Sequence, residues 1–162
     1  VSTLAQIEMA QPTDVETLLL GCCGSRTWAG LMASAWPYKS QGAVLDASER
    51  AFDELTHDDW RQAFAAHARI GEPRAEDERG SAEQAGVQNA QDAERRELAD
   101  LNAQYDRDFD HVFLICASGL SAAQMLAALR ARIGNPPAVE FANACAEQRK
   151  ITALRLRAML PA

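Results

Sequence analysis

Aromatic residues are scarce, at 6% of 162 residues, while hydrophobic residues of all kinds make up 48% and alanine recurs along the whole chain. That mixture favours helices packed closely on helices over a β-rich fold. A surplus of positive charge is also missing. The net charge of −7 argues against a nucleic-acid partner. Basic residues gather only locally, at Arg130 and Arg132 and again from Arg149 to Arg157, near expected helix ends where cations suit the macrodipole. The four cysteines, Cys22, Cys23, Cys116 and Cys145, form no C-x-x-C and no zinc-spaced cluster with histidine. Three histidines are present, none spaced with a carboxylate or cysteine as a ligand set, so no metal is expected. Neighbouring Cys22 and Cys23 read as small core residues, and the set fits a reducing compartment. No run approaches the length of a membrane span, and no charged-then-apolar leader opens the chain. Cytoplasm is the expected location. The chain opens at Val1 without an initiator, so a few residues are expected to precede it.

What is present is a succession of helix signals. The length suits one domain with a sizeable core, and residues 1–162 are taken as that domain. Thr13-Asp14-Val15-Glu16 reads as a capping box, with Val15, Leu18, Leu19 and Cys22 as the apolar stripe behind it. Gly24 and Ser25 end that helix and start another, whose buried face is Trp28, Leu31, Met32 and Ala35 until Pro37 stops it. A third helix runs from about Gly42 to Leu55, with Val44, Leu45, Phe52 and Leu55 inward. Thr56 caps the fourth, with Asp58 and Asp59 in its first turn.

The polar run from Glu72 to Gly80, with Pro73 and many charges, reads as a loop. Ser81 and Gln84 have capping-box spacing, which leaves Glu83 free to point elsewhere. A long polar helix follows through Gln91 to Tyr105, most of it facing water. His111 to Ala117 is continuously apolar, and periodicity leaves open whether it is extended or a buried helical turn. Ser121-Ala122-Ala123-Gln124 is another capping box, opening a helix through Met125, Leu126, Leu129 and Ile133 to Gly134. Pro136 and Pro137 start the last helix, with Phe141, Ala144, Gln148, Ile151, Arg155 and Met159 on one face. The expected architecture is an all-α, single-domain compact bundle of about eight helices.

The chemistry points to His67. Phe64, Ala63 and Trp60 precede it at i−3, i−4 and i−7, which places it on a buried helix face. Such a histidine is either a satisfied core residue or a proton carrier, and Glu83 beyond the short loop is the candidate partner. Arg155 is a cation in an apolar line, a position equally open to a snorkelling side chain.

In order along the chain stand Cys22-Cys23-x-Ser25-x-x-Trp28, Pro37-Tyr38, His67-x-Arg69-Ile70-Gly71, Ser81-x-Glu83-Gln84, Phe113-x-Ile115-Cys116-Ala117, and Glu147-x-x-Lys150-Ile151 with Arg155-Leu156. Together these marks resemble the 2-oxo-4-hydroxy-4-carboxy-5-ureidoimidazoline (OHCU) decarboxylases of uric acid degradation, over roughly Val15 to Leu160. The resemblance implies an all-helical, cofactor-free enzyme, commonly a homodimer, that converts OHCU to (S)-allantoin with loss of carbon dioxide. It makes His67 the catalytic histidine, paired with Glu83. It places Ala68, Ser81, Gln84, Phe113, Ile115, Cys116, Ala117 and Arg155 around the substrate, with the backbone of the 113–117 run as a pocket wall. Three positions depart from the family's pattern. Ala68 stands where proline usually follows the histidine, Trp36-Pro37-Tyr38 where Arg-Pro-Phe is usual, and Leu120 where a basic residue commonly follows the glycine.

Decarboxylation leaves an electron pair on carbon, which the unsaturated ring of OHCU can itself delocalise, so no cofactor is expected. Glu83 would hold His67 as imidazolium or fix its tautomer. Two other readings make different predictions. A non-catalytic helical interaction module, binding through the polar Gln91–Tyr105 helix, predicts a fully packed His67. A thiol-dependent enzyme using Cys116 predicts inactivation by alkylation.

Overall fold

A computed structural model describes residues 12–69 and 85–160. Among the described residues the chain forms seven α-helices and no strand. They are α1 (Pro12–Cys22), α2 (Arg26–Ser34), α3 (Gln41–Asp53), α4 (His57–Ala65), α5 (Ala85–Phe109), α6 (Ala122–Arg132) and α7 (Pro137–Met159). The expected all-α architecture is found, and seven helices against about eight is a small difference.

Local signals set most boundaries. Ser25 accepts the Trp28 amide at 3.2 Å and caps α2. The Thr56 and Ser121 boxes cap α4 and α6 reciprocally through Asp59 and Gln124. Thr13 does not stand ahead of α1, because that helix already includes Pro12, whose fixed φ suits a first turn. In α1 the buried positions are Val15, Leu19 and Cys22, while Leu18 is 38% exposed. In α2 the inward residues are Trp28, Ala29 and Met32, and Leu31 and Ala35 turn to solvent instead.

Two apolar clusters form. In the larger, Phe52 lies between Trp28 and Trp60, with ring centroids 5.7 and 5.0 Å away, and Val15, Leu19, Phe64, Ala144 and Leu156 complete it. Burying each such large side chain stabilises the fold by about 1.5–3 kcal/mol. The guanidinium of Arg149 covers Phe52 and Trp60 while pairing with Glu49 and Asp53. In the smaller cluster α5 contributes Leu98, Tyr105 and Phe109, a single narrow stripe on an otherwise polar helix, packed on Phe113, Leu126 and Leu129.

The last helix departs from the expected face. Its buried residues are Glu140, Ala144, Gln148, Thr152 and Leu156, one ridge of i+4 steps, while Phe141 and Ile151 flank it and Arg155 is exposed. Apolar periodicity could not find this line, because three of its five members are polar and are satisfied by partners from other elements.

Segment 111–117 is neither helix nor strand. It leaves α5 through Asp110 at φ 57° and ends at Gly119, whose φ of 79° suits a residue without a Cβ. Phe113 and Leu114 are buried, and two side chains from neighbouring helices hold the backbone between them.

Candidate active site

His67 is placed by the end of α4. That helix stops at Ala65, Ala66 caps it, and the His67 amide donates to the Phe64 carbonyl at 3.1 Å. The histidine therefore lies just beyond the helix, not on its last buried turn as the spacing suggests. Gly24 permits this seat. A Cβ built on it would come within 2.3 Å of the Ala66 Cβ, so the turn between α1 and α2 can rest against the end of α4 only with glycine there. The outgoing chain is tied to α5 by Arg69 Nε, 2.6 Å from Asp106 Oδ2.

The ring of His67 meets α7. Its Nε2 lies 2.8 Å from Oε1 of Gln148, which is itself fully buried. Gln148 Nε2 donates to Thr152 Oγ1 at 3.0 Å, and that hydroxyl lies 3.5 Å from the carbonyl of Cys22 at the end of α1. Arg155 Nη1 donates to the same carbonyl at 3.2 Å and to that of Gly21 at 3.4 Å, a cation at the negative end of a helix. One histidine, one buried amide, one hydroxyl and one guanidinium thus meet where α1, α4 and α7 converge.

Among the described residues these surroundings favour neutral imidazole. Burial is the main cause, the Arg155 charge adds to it, and the hydrogen bond to Gln148 opposes it, leaving the His67 pKa lowered. Glu83 lies outside the described residues, as do Ser81 and Gln84 and the 72–80 loop. Burial also pushes the thiol of Cys23, which is hydrogen-bonded to Thr152, up to about 11. His67 is half-buried, unlike the fully packed residue that an interaction module predicts.

Ala68 is exposed beside His67. In the apolar run the Phe113 side chain turns into the core, 4.6 Å beneath the guanidinium of Arg132 and against Tyr105, so only its backbone can line a pocket. Ile115 and Cys116 are half-buried and Ala117 is exposed. The Cys116 amide is already donated to Glu147 Oε2 at 2.7 Å, so it is held by the protein. The hydrogen bond to Cys116 and the Lys150 ammonium hold Glu147 ionised, with its pKa lowered against the opposing effect of burial. Arg132 Nη1 donates to the Leu114 carbonyl at 2.7 Å.

Sequence reasoning placed Gln148 on an inward face, Arg132 at a helix end and Glu147 among the resemblance marks, but assigned none of them, nor Thr152 or Glu140, a part in holding these groups. The available signal was the i, i+4 pair of polar residues, Gln148 and Thr152, on the inward side of a helix. His111 is half-buried as well, among the rings of Phe64, Tyr105, Phe109 and Phe141, with Nδ1 3.0 Å from the Val112 carbonyl.

Comparison with known proteins places the chain among OHCU decarboxylases. The family model for OHCU decarboxylase matches residues 8–157. The chain is 38% identical over 142 residues to the uric acid degradation bifunctional protein TTL of Arabidopsis thaliana, covering 83% of this chain and 44% of that protein. It is 38% identical over 79 residues to the 2-oxo-4-hydroxy-4-carboxy-5-ureidoimidazoline decarboxylase of Amia calva, covering 49% of this chain and 45% of that one. The chain thus spans less than half the length of these curated relatives. Among solved structures, an OHCU decarboxylase crystallised in the presence of (S)-allantoin superposes with a TM-score of 0.74 at 31% identity, over 93% of this chain and 98% of that one. An (S)-allantoin synthase superposes with a TM-score of 0.75 at 18% identity, over 99% of this chain and 54% of that one, a likeness of fold.

Proposed function

This chain belongs to the OHCU decarboxylase family, and we propose that it decarboxylates OHCU to (S)-allantoin without a cofactor. The observation that carries this reading is His67, half-buried and held by Gln148 beside Arg155, in a chain that aligns with the family over nearly its whole length.

The reaction asks little bond-making of the protein. Carbon dioxide leaves the carbon that bears the hydroxyl, and the electron pair left behind spreads into the adjoining C–N double bond and carbonyls. The protein adds orientation, charge stabilisation and a proton delivered to one face of the ring. His67 is that proton's carrier, and such general acid–base catalysis is worth about 10²–10⁴ in rate. Arg155 supplies positive charge near the leaving carboxylate from its tether on α1. In this reading Glu83 is the catalytic partner of His67, Gln84, Ser81 and Ala68 contact the substrate, and the backbone of the 113–117 run reads its carbonyl and ureido groups. The tethers from Arg132 and Glu147 support that role by fixing this irregular segment.

The reading includes a homodimer, as the family resemblance implies, placed in the cytoplasm, and the net charge of −7 speaks against a nucleic-acid partner. Among the described residues no helix is long and apolar enough to cross a membrane. The test is to generate OHCU freshly from urate and follow optically active allantoin against the spontaneous rate. Acceleration with a single enantiomer in excess is expected, and a rate equal to the spontaneous one would overturn the assignment.

A further inference from the structure

We propose that Gln148 and Thr152 are positioning residues that lock neutral His67 as the tautomer protonated on Nε2, leaving Nδ1 as the atom that handles the proton. The inference rests on the proposed role of His67. It is carried by the direction of a hydrogen-bonded chain.

That chain starts at a group that can only accept. The Cys22 carbonyl ends α1, and the next amide able to continue the helical ladder, that of Arg26, donates instead to Gln62 Oε1 at 2.8 Å. Cys22 must find its donors elsewhere, and they are Arg155 Nη1 and the Thr152 hydroxyl. A hydroxyl has one proton, and Thr152 turns it toward the Cys22 carbonyl 3.5 Å away or the Cys23 sulfur, so toward Gln148 Nε2, 3.0 Å away, it accepts. The amide is thereby oriented with its oxygen toward His67, 2.8 Å from Nε2. That oxygen can only accept, so Nε2 carries the proton. Gln148 and Thr152 are both fully buried, so water does not compete for these bonds.

The tautomer assigns the chemistry to one atom. Loss of carbon dioxide from a carboxylate leaves an electron pair that one proton quenches. With Nε2 committed to Gln148, Nδ1 takes that proton from water and gives it to the carbon, and the described residues place no hydrogen bond on Nδ1. Gln148 acts through His67 and needs no contact with substrate.

The test is nitrogen-15 NMR of the full chain labelled in its histidine rings, with His67 assigned by comparison with His67→Asn. Above its titration, His67 should show a proton-bearing Nε2 and a bare Nδ1. Gln148→Leu should mix the tautomers and lower kcat by about 10-fold or more, part of the 10²–10⁴ that such catalysis supplies, with KM changed less than about twofold. Gln148→Glu, whose carboxylate also accepts from Nε2, should restore the single tautomer. Thr152→Val keeps the shape, removes the hydroxyl that orients the amide, and should reproduce the mixture even if Gln148→Leu fails to fold. A proton found on Nδ1 in the unaltered protein, or a tautomer indifferent to both substitutions, would overturn the proposal. The NMR arm needs no substrate, so a correct tautomer without turnover counts against the proposed activity alone.

Discussion

Arg132 Nε donates to Oε1 of Glu140 at 2.7 Å across the turn between α6 and α7, and the carboxylate it meets is fully buried. Tyr105 donates to the same oxygen at 2.6 Å, and Asn135 and Asn143 reach the other at 3.0 and 3.2 Å. Since Arg132 also holds the Leu114 carbonyl, this pair ties α5, α6 and α7 to the irregular 111–117 segment. Removing one partner strands a buried charge. Arg132→Leu should cost about 3–5 kcal/mol in denaturant melts, and adding Glu140→Leu should recover much of that loss.

The same carboxylate sets an acid limit. Burial alone would raise the Glu140 pKa, but the hydrogen bonds from Arg132, Tyr105, Asn135 and Asn143 outweigh it and hold the group below its ordinary range. A depressed folded-state pKa means the stabilisation is complete above the unfolded value of about 4.3 and is lost as pH falls toward the folded value. Melting temperature should drop across that acid window. Glu140→Gln should be less stable at neutral pH and show a shallower acid drop.

Gly24 tests how the histidine is seated. Gly24→Ala would drive a Cβ against Ala66 and should cost about 1–3 kcal/mol by overpacking, with a loss of kcat beyond what the melt explains. Ala66→Gly in the same chain removes the opposing atom and should restore both. Restoration of stability without activity would show that the seat is not what Gly24 serves.

Much of this was legible in the sequence where the cause is local. The caps at Ser25, Thr56 and Ser121 lie within three residues of the amides they satisfy, and the all-α class followed from such signals. What was missed depends on tertiary partners. Glu140 and Thr152 look misplaced on an inward face until Arg132, Tyr105 and the Cys22 carbonyl are seen beside them. Leu18 and Leu31 were read inward because periodicity cannot say how wide a stripe the neighbouring helix covers. His67 and Arg155 stood out by their spacing and took their roles from the resemblance, and the structure sets both around the end of α1.

Exhaustive chelation should leave turnover intact, because the ring of OHCU can delocalise the electron pair that decarboxylation releases. Activity measured before and after dialysis against a strong chelator checks this. A loss that zinc or manganese restores would refute the cofactor-free chemistry.

The most direct test of the account is His67→Ala, with melting and turnover measured on the same preparation. The ring is only half-buried and contributes little packing, so stability should stay within about 1–2 kcal/mol while acceleration over the spontaneous decay of OHCU disappears. A variant that loses several kcal/mol, yet whose folded fraction turns OHCU over at the unaltered rate, would make His67 a core residue and contradict the account.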